Sequence, residues 1–150
     1  MPADIWDRFE AIEECYEFML AYAAQGLAND EGSESGRQIR KFLRRAVEAL
    51  GGLAESCAAA VREEGRPQQD PFAAFLAVLD RDALDSLAAI ELVLAQPAIS
   101  SQLIDNLNAS MHLRALLTDL FLLGEVFRTR RAAANQTHGV LRGADTSLQT

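Results

Sequence analysis

Three side chains in this sequence could do acid–base chemistry if the fold brought them together: Glu13, His112 and Asp119. His112 shares a helical stripe with Asp105, Asn108 and Asp119. A histidine oriented by an aspartate can act as a base or a metal ligand. No activated nucleophile and no further ligand set lies on the same helix, so the stripe reads most simply as a solvated outer face. Glu13 falls between Trp6 and Leu20 on the helical wheel, at the border of an apolar arc. A carboxylate there reaches water or an arginine more readily than it stays buried. A ferritin-like metal centre needs Glu-x-x-His pairs on two helices. The sequence contains none, and its only histidines are His112 and His138. No catalytic residue, no metal ligand set and no cofactor is therefore expected.

Binding chemistry has two stronger candidates. Arg37, Arg40, Lys41, Arg44 and Arg45 lie on the side of one helix opposite its apolar stripe, which turns them outward. Such a face can simply be solvated, with Arg44 paired to Glu48 one turn on. It can also dock an acidic protein, for example the Glu10, Glu14 and Glu17 face of another copy. The second candidate is the leucine-dense run from Leu113 to Phe127. Leu113, Leu116, Leu117, Leu120, Phe121, Leu123 and Phe127 wrap so far round the helix that it needs cover on more than one side. A two-fold interface would supply that cover. Separately, Trp6, Phe9, Tyr16, Phe42 and Phe121 could line a pocket for an apolar small molecule.

These groups must be held by helices. Ile5, Phe9, Ile12, Tyr16, Met19 and Ala23 step by threes and fours, which predicts a first helix over Asp4–Leu27 with Asp4 as N-cap. A polar loop over 28–33 follows. Ser35 and Gln38 read as a capping box opening the second helix. Its stripe is Ile39, Leu43, Ala46, Leu50, Leu53, Cys57 and Val61, and Gly65 with Pro67 closes it. Gly51 and Gly52 sit inside that stripe, each costing about 1 kcal/mol against alanine. Asp70-Pro71 opens a third helix to Ala95, with Phe72, Leu76, Leu79, Ala83, Leu87, Ile90 and Leu94 on its inner face. A fourth helix is expected over Ala98–Ala132, with Leu103, Ile104, Leu107 and Met111 turned inward, a weak break near Asn106–Asn108, and Arg128, Arg130 and Arg131 at its C-terminus. No stretch alternates apolar and polar residues as a half-buried strand would. The expectation is an all-α, four-helix up-down antiparallel bundle over 1–132, with a flexible C-terminal tail over 133–150.

Composition sets the outer bounds. The chain has 150 residues, a net charge of -8 and 49% hydrophobic residues, enough to build one core without disulfides or metal. Its acidity opposes general binding to nucleic acid or an anionic membrane. No run reaches the roughly 20 apolar residues of a membrane span. The N-terminus lacks the basic start and apolar core of a secretory signal, which makes the cytoplasm the expected compartment. Cys15 and Cys57 lie among apolar positions and read as free, buried thiols. Lys41 is the only lysine among 14 basic residues, a bias that fits a GC-rich bacterial genome. The resulting expectation is a non-enzymatic interaction module: a homodimeric adaptor, accessory or regulatory subunit with a protein partner. A carrier or sensor bundle for an apolar ligand, and a small enzyme built on Glu13, His112 or Asp119, are the alternatives.

Overall fold

The computed structural model describes residues 3–63 and 70–146. Among them are six helices and no strand: α1 (Ala3–Ala24), α2 (Glu34–Leu50), α3 (Leu53–Glu63), α4 (Asp70–Leu94), α5 (Ser101–Ala109) and α6 (Met111–Thr146). The all-α expectation holds. The count does not, because two of the four anticipated helices are each broken in two.

The first break is at Gly51-Gly52. Gly52 adopts φ +73°, a left-handed conformation that L side chains rarely take. The Arg8 guanidinium then donates to the carbonyl oxygens of Ala49 (3.1 Å) and Gly51 (2.7 Å). Two carbonyls at the C-terminal end of α2, one in its last turn and one on its C-cap residue, thereby gain a donor that the helix itself does not supply. The apolar stripe survives the break: Ile39, Leu43, Ala46, Leu50, Leu53, Cys57 and Val61 are all buried. The second break is at Ser110, between α5 and α6. Met111, expected to face inward, is instead 81% exposed.

The starts of α2 and α5 use serine. Ser33, not Ser35, caps α2: its Oγ accepts from the Gly36 amide at 2.9 Å. The residue three positions on is a glycine, so no capping box forms. Ser100 caps α5 by accepting from the Leu103 amide at 3.0 Å. Asp4 lies inside the first turn of α1 rather than capping it, and pairs with Arg8 at 3.0 Å. The Gly65–Pro67 stop lies outside the described residues.

The chain forms two compact units that divide between Leu117 and Thr118, within α6. In the first unit, α1 packs on α2, α3 and α5, and α4 packs on α2, α3 and α5. Ile5, Ile12, Met19, Leu43, Leu53 and Leu79 are among the side chains closing this core. Each such burial stabilises the fold by roughly 1.5–3 kcal/mol. The second unit is the rest of α6. It continues as helix past Ala132 to Thr146, where the sequence suggested a tail. Ala132, Ala133, Ala134, Gln136, Leu141 and Arg142 are good helix formers. The lack of apolar periodicity removed the sign of burial and not the propensity. Arg130 and Arg131 therefore do not end a helix. Among the described residues, no helix is long and apolar enough to cross a membrane.

Candidate functional site

The densest polar constellation lies where the loop after α1 meets the end of α4. Asp30 is buried at 8% exposure. Its carboxylate accepts from Arg40 Nε at 2.5 Å and from the Ile99 amide at 2.7 Å. These donors, with the Arg40 hydrogen bond foremost, hold the Asp30 carboxyl below the usual carboxylate range against the opposing effect of burial. The Arg40 guanidinium reaches further, to the carbonyl oxygens of Leu94 (3.3 Å), Gln96 (3.2 Å) and Pro97 (3.4 Å). It thus takes up carbonyls at the end of α4 as Arg8 does for α2.

The same junction is tied to α1 and α5. Tyr22 donates its hydroxyl to the Ile99 carbonyl at 2.6 Å. Burial is the leading cause of the raised pKa of that phenol, with the Asp30 charge adding to it. Ser101 Oγ donates to the Tyr22 carbonyl at 2.6 Å and accepts from the Leu27 amide at 2.8 Å. The Ser101 amide donates to the Leu27 carbonyl at 2.8 Å. Gly36 lets the 30–33 turn lie against α2, since a Cβ there would sit 1.9 Å from the Asp30 carbonyl oxygen. The chemistry of this junction is cohesion: its charge is paired and its donors are used within the chain.

The basic face of α2 is consequently not one face. Arg40 turns inward to Asp30, correcting the expectation that it faces solvent. Arg37 pairs with Glu34 at 2.8 Å in the first turn. Arg45 pairs with Glu14 of α1 at 3.3 Å and lies 5.9 Å over the Phe42 ring. Lys41 and Arg44 are exposed and make no ion pair among the described residues, so the Arg44–Glu48 pair does not form.

The acid–base candidates are dispersed. Glu13 is half-buried on α1 and has no hydrogen bond or ion pair to His112 among the described residues. His112 is half-exposed, with Nδ1 3.8 Å from Asp85 of α4. Asp105 is exposed, but Asn108 and Asp119 are buried, so the stripe is not the solvated face expected. The Asn108 amide oxygen and nitrogen have no hydrogen-bond partner among the described residues. Asp119 belongs to the second unit. Among the described residues, no group of three or more His, Cys, Asp or Glu is placed to hold a metal ion. The His138 side chain lies outside the described residues.

The aromatic candidates pack as pairs. Trp6 meets Phe9 edge-on at 5.7 Å, and Phe42 stacks on Phe18 at 4.6 Å. One surface hollow is lined by Asp4, Asp7, Arg8, Ala11, Arg45 and Glu48, another by Gly26, Leu27, Ser101, Gln102 and Asp105. Neither includes Trp6, Phe9, Tyr16 or Phe42. On α6, Leu113, Leu116, Leu117, Leu120, Leu123 and Phe127 are already buried, and Phe121 alone of the anticipated interface residues is exposed. That set is therefore corrected: six of its seven side chains are covered in a single chain.

The uncovered apolar surface of the first unit lies mainly on α4. Val78, Leu84 and Leu92 are 48%, 57% and 67% exposed. The sequence reading followed only the inner face of this helix. The missed signal was present, because α4 carries apolar residues on its outer side as well. Comparison with known proteins found no match to any family model, curated protein or solved structure.

Proposed function

We propose that this chain is a non-enzymatic interaction module of the bacterial cytoplasm, an adaptor or accessory subunit that works by protein–protein binding and pairs with a second copy of itself. The observation that carries this reading is the outer face of α4. Val78 and Leu92, with Ala74 and Ala88 beside them, leave apolar surface of this helix in water on either side of Arg81 and Asp85, and clustered exposed apolar surface marks an interaction site. The charged groups support the same reading, because the junction at Asp30 and Arg40 is spent on cohesion. Lys41 and Arg44 remain on α2 as a smaller basic rim for an acidic protein partner.

Sedimentation equilibrium over a wide concentration range tests the proposal. The mass should rise from 16.4 kDa towards twice that value as concentration increases. A mass that stays at the single-chain value at high concentration rejects self-pairing.

A further inference from the structure

The outer stripe of α4 runs Ala74, Val78, Arg81, Asp85, Ala88, Leu92, and all six side chains are exposed. The steps between them are four, three, four, three and four residues, which is the seam spacing of a coiled coil. The inner face of the same helix is already packed through Leu76, Leu79, Ala83 and Ile90. A second seam on the opposite side has no use within the core of this unit.

The order of residues along the seam is self-complementary about position 83. A two-fold axis there, crossing two antiparallel copies of α4, sets Leu92 opposite Ala74 of the other copy and Val78 opposite Ala88. Each branched side chain then meets an alanine, which lets the helices approach closely. The same axis sets Arg81 opposite Asp85 twice. Arg81 has no hydrogen bond or ion pair among the described residues. Among the described residues, Asp85 makes one ion-pair contact, to His112 at 3.8 Å. A parallel pairing would instead bring Arg81 to Arg81 and Asp85 to Asp85, and like charges exclude it.

The geometry points to α4 as the homodimer interface: an antiparallel, two-fold helix pair whose register and direction are set by reciprocal Arg81–Asp85 contacts. This rests on the self-pairing proposed above and names its surface. Its seam spans about 27 Å. Small residues supply close contact at both ends of it, and the charges occupy the centre, where a polar pair selects register.

Two experiments on the full chain test it. In the first, Arg81→Asp and Asp85→Arg are made singly and together, with helicity checked by circular dichroism. Each single reversal should raise the dimer dissociation constant by roughly ten-fold or more, and the double swap should recover most of that loss. In the second, Val78→Cys and Ala88→Cys proteins are treated with a short bis-maleimide crosslinker, separately and mixed. Only the mixture should crosslink efficiently, because each position is about 15 Å from its own copy in the antiparallel pair. Cys15 and Cys57 stay silent, since both are buried and burial pushes both thiols up to about 12.

Self-crosslinking of Val78→Cys would overturn the antiparallel arrangement. A dimer indifferent to both single reversals would place the interface elsewhere and leave self-association standing. A wild-type chain that stays at single-chain mass would remove both. A monomer in which the introduced cysteines are nonetheless shielded would mean that another segment of the same chain covers α4, and would equally overturn the assignment.

Discussion

The junction around Asp30 and the outer face of α4 are opposite solutions to the same problem. At the junction, chain segments far apart in sequence meet, and charged and polar groups are matched inside one molecule. Asp30, Arg40, Tyr22 and Ser101 all have partners there. On α4, a regular helix displays apolar side chains and an arginine with no partner among the described residues. The contrast separates charge that holds a fold together from charge that is left in solvent. An arginine on the polar side of a helix can be either, and its neighbours across space decide which.

The contrast is broken most severely at Arg40. Arg40→Ala strands a buried carboxylate and should cost about 3 kcal/mol or more, read as a fall in the urea midpoint. A loss below about 1 kcal/mol would mean that the junction is not cohesive. Gly36→Ala should cost roughly 1–3 kcal/mol, because its Cβ meets backbone and the turn must shift. At an open helical position the same change would stabilise instead.

Acid should loosen the junction selectively. Asp30 has a lowered pKa when folded, so its contribution is present in full above the unfolded value of about 4 and is lost as pH falls through the folded value. The wild type should therefore lose stability on acidification more steeply than Asp30→Asn. Equal slopes would remove the charged junction from the account. The smallest effect on folding belongs to α4: Leu92→Ser should change monomer stability, measured at high dilution, by no more than about 0.5 kcal/mol. A large destabilisation would show that Leu92 is part of the fold rather than of a surface.

Much of the helical framework was legible in the sequence, because it rests on periodicity. The extents of α1 and α4 match their stripes to within a few residues, and the α2–α3 stripe is buried throughout. Burial spacing could not reveal that this stripe is broken, since both pieces keep the same face inward. Gly51 and Gly52 were the only trace of the break. Arg40 was misread for a related reason. A helical wheel places it at the border of the apolar stripe, about 60° from Leu43 and closer to it than Arg37, Lys41 or Arg44, and the 30–33 turn folds back over that border. Asp30, ten residues away in a polar loop, carried no local sign of being buried. On α4 the outer stripe and the buried inner face share the same three-and-four spacing. Only burial tells the two faces apart.

Hydrogen exchange at two protein concentrations, low and high, compares the two regions in a single measurement. If α4 pairs with itself, amides between Ala74 and Leu92 should gain protection on concentration, while those around Asp30, Gly36 and Ile99 stay as they were. Protection that grows elsewhere and leaves α4 unchanged, or that does not respond to concentration at all, would contradict the account.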